Sequence, residues 1–139
     1  MDAKDVVASL SPFGGGLGSS GGVCGALPGA LAVIGLLMGK REPEGRDHKL
    51  MWRLAYKLVK GFEEITREYG GIECRDIARV DWKDPSQVKA YYKGVKSRRM
   101  ECMKVIGATA DLLGRLLHEN EVLSIVNKDH PEREEWNVH

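Results

Sequence analysis

The chain has 139 residues and a formal net charge of +1, because its 21 Lys and Arg nearly balance its 20 Asp and Glu. This length predicts a single domain, residues 1–139, that is large enough to bury a core. The near-neutral charge argues against nucleic acid as a partner, since such binding depends on excess positive charge. The apolar run from Val23 to Met38 has 16 residues and contains Pro28. It is too short to predict a membrane span, so no membrane partner is expected.

Three cysteines and the N-terminal residues bear on the compartment. Met1-Asp-Ala-Lys-Asp lacks the basic and apolar segments of a secretion signal. The cysteines are Cys24, Cys74 and Cys102, and no Cys-x-x-Cys pair occurs. Cysteines without a secretion signal indicate a reducing compartment, so a cytoplasmic location is expected. Their spacing alone leaves two interpretations open, buried structural thiols and thiols with a chemical role.

The first half of the chain predicts a short helix, a glycine-rich loop and a buried central helix. The short helix ends at Ser11-Pro12, because the residue before proline avoids helical backbone. The central helix is predicted from Val23 to Met38, where the sequence turns apolar. Cys24 would then lie at a helix N-terminus, whose free N–H groups favour a thiolate and lower the pKa. We therefore expect Cys24 to be the most reactive thiol. Glycines of the loop are expected to support the site by leaving the backbone open: Gly14, Gly15, Gly16, Gly18, Gly21, Gly22 and Gly25.

The second half predicts two further long helices. One runs from about His48 to Tyr69, with Asp47 as its N-cap and apolar residues at three- and four-residue spacing. Shorter helices are predicted at residues 74–79 and 87–92. The last long helix runs from about 97 to 117, and a frayed tail is expected over 127–139. Its core-facing stripe is expected to contain Cys102, Ile106, Thr109, Leu113 and Leu116. No alternating strand pattern occurs, so the sequence predicts an all-α domain of three long helices plus short ones.

Each cysteine is predicted at or near the start of a helix. This placement is typical of thiolates, of disulfide exchange and of soft-metal ligation. Cys74 and Cys102 are expected to lie near each other and to face the glycine loop. Gly16-Leu-Gly-Ser-Ser-Gly21 formally matches a dinucleotide-binding fingerprint. That interpretation is disfavoured because the fingerprint requires a preceding strand within a βαβ unit.

Three segments resemble the redox-active family named for its pattern C_GCAxxG_C_C: Phe13-Gly-Gly-Gly, Cys24-Gly-Ala-Leu-Pro-Gly-Ala and Val33-Ile-Gly. Cys74 and Cys102 fit the later two cysteines of that family. The resemblance covers about residues 6–117. Typical members begin with a helix that carries a further cysteine upstream of the glycine loop. We expect this chain to lack that helix and that cysteine.

The resemblance and the residues together leave three hypotheses. The leading one is a small redox-active protein, a thiol-dependent oxidoreductase with either thiol–disulfide or electron-transfer chemistry. Its catalytic residues would be Cys24, Cys74 and Cys102, with or without a bound metal ion or iron–sulfur centre. It would act on a redox partner protein. The second is a non-enzymatic helical module in which the three thiolates and one outside ligand hold a structural metal. The third is a homo-oligomeric interaction domain, most simply a dimer, in which a second copy covers the apolar central helix.

Overall fold

The computed structural model describes residues 2–131. This part of the chain forms seven α-helices: α1 (Ala3–Leu10), α2 (Ala26–Met38), α3 (Met51–Thr66), α4 (Cys74–Ile77), α5 (Pro85–Lys93), α6 (Arg99–Glu119) and α7 (Val122–Asp129). Short 3-10 turns follow α1 and α3, over Ser11–Phe13 and Arg67–Tyr69. No strand occurs within residues 2–131, and an isolated antiparallel bridge joins Val23 to Glu73. The all-α prediction is confirmed.

The core lies where α2, α3 and α6 pack together, with α7 against α2 and α6. The stripe predicted for α3 is confirmed in Leu54, Leu58 and Phe62, which are fully buried. Ile34 of α2 and Val105 of α6 meet them from the facing helices. Burial of each such side chain contributes about 1.5–3 kcal/mol, so these three helices supply most of the hydrophobic stabilisation.

The core helices α3 and α6 approach each other closely at Gly61. A Cβ atom at this position would overlap the side chain of Leu112 on α6.

The buried hydroxyl of Thr109 donates to the carbonyl of Val105 at 2.6 Å, and that of Thr66 donates to its own helix in the same way. The polar groups in the core are therefore hydrogen-bonded, as burial requires.

The central helix begins three residues later than predicted, at Ala26. Val23 instead forms the bridge to Glu73, and the N–H of Cys24 donates to the carbonyl of Ile72 at 2.9 Å. The cause is tertiary, because pairing with a segment distant in the sequence holds Val23 and Cys24 in a bridge, which is not compatible with a helical turn. Cys24 therefore precedes the helix.

Two further details of the prediction are wrong. Helix α3 begins at Met51, and the Asp47 carboxylate does not cap it but accepts a hydrogen bond from the N–H of Lys40 at 2.9 Å. On α6, Ile106 was expected in the core but is 55% exposed, and Val105 is buried instead. The rest of the predicted stripe is confirmed, because Thr109 and Leu116 are buried and Cys102 and Leu113 pack against the core.

The C-terminal part of the described chain is more regular than expected. Residues 127–129 form the last turn of α7, not a tail, and Val122 and Val126 anchor that helix in the core. The remainder of the expected tail, from residue 132, lies outside the described residues. Among the helices of residues 2–131, none combines the length and apolarity that crossing a bilayer would require.

Candidate functional site

The glycine-rich loop adopts a left-handed conformation over five consecutive residues. From residue 15 to residue 19 every φ angle lies between 60° and 74°. This conformation is costly for residues with a Cβ atom, and three of the five positions are glycine. The loop closes on itself through backbone hydrogen bonds, such as Gly18 N–H to the Pro12 carbonyl at 2.7 Å and Gly22 N–H to the Gly16 carbonyl at 3.0 Å.

The closed loop binds the segment that carries the second cysteine. The N–H of Cys74 donates to the carbonyl of Gly22 at 2.6 Å, and the N–H of Cys24 donates to that of Ile72 at 2.9 Å. These two hydrogen bonds flank the single antiparallel bridge. Residues on either side of a bridge point to the face opposite the bridging pair. The side chains of Cys24 and Cys74 therefore share one face.

Gly16 fits between the loop and Cys74 because it has no side chain. Its φ is +74°, and a Cβ atom there would lie 2.6 Å from the Cβ of Cys74 and 2.5 Å from the carbonyl oxygen of Gly22. Both distances are shorter than van der Waals contact. Among the glycines expected to support the site, Gly16 is therefore the one whose lack of a side chain lets the loop contact Cys74.

The three cysteine thiols lie in one neighbourhood, although they are far apart in the sequence. The negative charges of Cys74 and Cys102 both raise the pKa of Cys24, and that of Cys102 also raises the pKa of Cys74. Such mutual effects require short separations. Cys74 is buried, whereas Cys24 and Cys102 are half-buried. We call these three residues the thiol cluster.

The pKa values in the thiol cluster correct one expectation. The pKa of Cys24 is raised, chiefly by burial, although the N–H of Ala26 donates to its sulfur and acts in the opposite direction. The expected lowering by the helix N-terminus is therefore wrong, because desolvation outweighs a hydrogen bond of this kind. That Cys24 is the most reactive of the three thiols stays a prediction.

An aromatic group that the sequence analysis did not associate with the cysteines covers the cluster. The Trp82 ring meets that of Tyr91 edge-on at 5.1 Å, and Tyr91 meets Tyr92 in the same manner at 5.1 Å. Trp82 Nε1 donates to the sulfur of Cys74 at 3.3 Å. Burial and a hydrogen bond with Cys102 raise the pKa of Tyr91. The sulfur of Cys74 thus has an aromatic hydrogen-bond donor, and Cys102 has an aromatic neighbour in Tyr91.

No sequence signal identified this aromatic group in advance. Trp82 and Tyr91 lie in a turn and in a short helix with an ordinary composition. Only the tertiary structure brings Trp82 to the sulfur of Cys74 and Tyr91 to Cys102.

The thiol cluster does not have the form of a metal site. Within residues 2–131 no three His, Cys, Asp or Glu side chains have an arrangement that would hold a metal ion. The three cysteines are free thiols in this structure. Because the donor set does not fit, we derive no chemical step through a metal, and metal ligation by Cys24, Cys74 and Cys102 stays a prediction.

The fold and this site define a small all-α protein with clustered thiols beneath a glycine loop. A family model described as "Putative redox-active protein (C_GCAxxG_C_C)" matches residues 1–116. The chain belongs to this family. Comparisons with curated proteins and with solved structures gave no match. The expectation that the chain lacks a further helix and cysteine of typical members stays a prediction.

Proposed function

We propose that the protein is a thiol-dependent oxidoreductase that reduces disulfides through Cys24, Cys74 and Cys102. The observation that supports this proposal is that Cys24 and Cys74 share one face of the bridge at the glycine loop. Trp82, which donates to the sulfur of Cys74, contacts Tyr91, which interacts with Cys102. The family description, redox-active, agrees with it. The clustering supports exchange because two thiols of one protein must be close to form a disulfide in turn.

The proposed reaction has two displacements. The Cys24 thiolate attacks one sulfur of a substrate disulfide, so that a mixed disulfide forms, the substrate S–S bond breaks and the first substrate thiolate leaves and takes up a proton. A second thiol of the cluster then loses its proton and attacks the Cys24 sulfur. The second substrate thiol leaves, and a disulfide within the protein remains. One substrate disulfide and two protein thiols thus give two substrate thiols and one protein disulfide.

Accessibility supports Cys24 as the attacking thiol. It is half-buried at the edge of the glycine loop, whereas Cys74 is buried beneath Trp82. The raised pKa of Cys24 leaves few thiolates at neutral pH, so the rate of the first displacement should increase as the pH rises.

The test is exposure of the reduced protein to a small disulfide, followed by mass spectrometry of its cysteine peptides. We expect one intramolecular disulfide, with the loss of two hydrogen atoms, and we expect Cys24→Ser to abolish the mixed disulfide. Cys102→Ser and Cys74→Ser then show which residue completes the exchange. Independent oxidation of all three thiols, with no intramolecular bond in any redox buffer, would contradict the proposal.

The structural-metal hypothesis is tested on the same material. Protein purified without oxygen is analysed for metal, and the thiols are titrated in parallel. We expect three titratable thiols and no stoichiometric metal. A metal present at one per chain, and lost in each of the three Cys→Ser variants, would overturn the exchange mechanism in favour of a structural site.

We also propose that the protein is a homodimer. The central helix, which the sequence analysis expected a second copy to cover, is not the basis of this proposal, because Gly35 is the only exposed residue of α2. Exposed apolar side chains instead lie on the first turns of α6, where Met100, Met103 and Ile106 are 59%, 55% and 55% exposed. Light scattering is expected to give a dimer for the natural protein and for Met103→Leu, and a monomer for Met103→Glu. A monomeric natural protein would contradict this.

A further inference from the structure

A cavity of about 330 Å³ lies beside the thiol cluster, between the end of α4, helix α5 and the start of α6. Its size is within the range of small-molecule sites. Three of its lining residues are cations, Arg79, Lys96 and Arg98, and no Asp or Glu of the described chain lines it. We propose that this cavity binds an oxyanion group, and that its occupant is a small disulfide that carries a carboxylate.

Arg98 provides a fixed and incompletely neutralised positive charge. Its Nε donates to the carbonyl of Ile77 at 3.1 Å, and its guanidinium lies 5.6 Å from the centre of the Tyr69 ring. Its Nη2 atom is buried and has no hydrogen-bond partner within the described part of the chain. A buried donor without a partner is costly, and a nearby anion would offset part of the unbalanced charge.

The other two cations of the cavity have no carboxylate partner among residues 2–131. Within residues 2–131, neither Arg79 nor Lys96 forms an ion pair, and the Nε of Arg79 donates to the main-chain carbonyl of Asp76. Arg79 lies just after the end of α4 and has a φ of +53°, an uncommon conformation for a residue with a side chain.

Glu101 is an acidic group whose pKa is affected by the charge of Arg98. Its carboxylate accepts hydrogen bonds from Tyr69 Oη at 2.7 Å and from Lys104 Nζ at 3.1 Å. Tyr69 is the main cause of its lowered pKa, and Arg98 contributes the smallest of the named effects. Glu101 therefore compensates Arg98 only at a distance and does not line the cavity.

Tyr91 joins the cavity to the thiol cluster. It lines the cavity, and its side chain interacts with that of Cys102, which contributes to its raised pKa. An anion held by Arg98 would thus place the rest of its molecule at the thiols. This assignment of substrate class rests on the proposed disulfide exchange, but the binding of an oxyanion does not.

Binding is tested first with sulfate, which does not react with thiols. Amide shifts are followed by NMR while sulfate replaces chloride at constant ionic strength. We expect saturable shifts at Gly94 and Ser97, which line the cavity. Lys96→Gln should weaken binding by about twofold to fivefold, as an exposed ion pair would. Arg98→Gln should weaken it by about tenfold or more. Lys89→Gln, on an exposed α5 residue outside the cavity, should change nothing.

Substrate class is tested with a matched pair of disulfides, dithiodipropionate, which has two carboxylates, and hydroxyethyl disulfide, which has none. We expect faster reduction of the dianionic compound, and Lys96→Gln should slow it while leaving the neutral one unaffected. Equal rates overturn the assignment of a carboxylate-bearing disulfide as the occupant, and the absence of saturable sulfate shifts overturns the oxyanion site, even if reduction proceeds. Sulfate binding without reduction of either disulfide overturns the proposed oxidoreductase but leaves the anion site standing. If Arg98→Gln does not fold, Lys96→Gln and Arg79→Gln decide the binding test.

Discussion

The helical core and the glycine-loop site are stabilised in opposite ways. In the core, α2, α3 and α6 bury large side chains such as Phe62, Leu58 and Ile34, and stability comes from the apolar area removed from water. At the site, the loop and the segment of Cys74 are joined by main-chain hydrogen bonds and by the absence of a side chain at Gly16. The core is stabilised by buried apolar side chains, whereas the site also requires that residue 16 has no Cβ atom.

Because of this difference, a substitution in the core and a substitution at the site should affect the stability of the domain and the reactivity of the thiols separately. The side chains of the core contact one another across three helices, so a loss there affects the whole domain. The site residues contact a short loop and α4, so a change there should disturb the thiols more than the global fold. The four predictions below test this separation, from the largest expected effect to the smallest.

Truncation in the core should cause the largest loss of stability. Phe62 is fully buried, and Phe62→Ala should lower the free energy of unfolding by about 3–5 kcal/mol, because it leaves a cavity that the helices only partly fill. Urea unfolding followed by circular dichroism measures this. In conditions where the variant is still folded, the relative alkylation rates of the three thiols should match those of the natural protein. Altered relative rates would show that the core and the site are not separable.

A methyl group at Gly16 should damage the site directly. Gly16→Ala should cost about 2–4 kcal/mol, because alanine is strained at positive φ and its Cβ would collide with Cys74 and Gly22. Alkylation of Cys74 should become faster relative to Cys102, since the loop must move away from it. The measurement is competitive alkylation read by mass spectrometry of the cysteine peptides.

Gly18 offers the matched control for Gly16. Its φ is +62°, but nothing lies within 4 Å of the Cβ that alanine would add. Gly18→Ala should therefore show the conformational strain alone, about 1–2 kcal/mol, and leave the alkylation pattern unchanged. Equal effects of the two substitutions would show that close packing at Gly16 does not position Cys74.

The indole N–H over Cys74 should affect one thiol in particular. Trp82→Phe keeps an aromatic ring against Tyr91 but removes the donor to the sulfur, at a cost of about 0.5–1.5 kcal/mol in stability. The donor favours the thiolate, so its loss should raise the pKa of Cys74 further. The pH dependence of Cys74 alkylation should shift upward while that of Cys24 stays in place. A similar shift of both thiols would indicate a general rearrangement.

The smallest expected effect is a fall in stability at alkaline pH. Burial raises the pKa of Cys24 and of Cys74 above the ordinary value of 9.0. At a pH between the unfolded and folded values the native state holds more protons than the unfolded chain. The contribution is thus complete below pH 9 and is lost as the pH rises through the folded pKa. Urea unfolding of the reduced protein at about pH 8 and about pH 10 measures this.

A variant with Cys24→Ala and Cys74→Ala serves as the control for the alkaline effect. Its stability should fall less steeply over the same pH interval. Some decline should persist, because burial also raises the pKa of Tyr91 and the hydrogen bond to Glu101 raises that of Tyr69. An unchanged slope would show that the two thiols are not buried in solution.

The sequence by itself determined the class of fold and the main packing face of α3. The spacing of apolar residues by three and four positions, which includes Leu58 and Phe62, is a local property, because one helical turn fixes which side chains share a face. It also identified the three cysteines and the glycine loop, since glycine clusters reflect backbone conformations that other residues rarely adopt.

Only the tertiary structure decided how the site is built. Helix α2 starts at Ala26 because Val23 pairs with Glu73 in an antiparallel bridge. The pKa of Cys24 rose because burial by neighbours, which no local pattern records, outweighs the N–H of the adjacent helix. Trp82 and the cations around Arg98 became part of the site through packing between distant segments. Hydrogen-bond partners, desolvation and cavities depend on which segments meet, and that is set by the whole chain, not by its local periodicity.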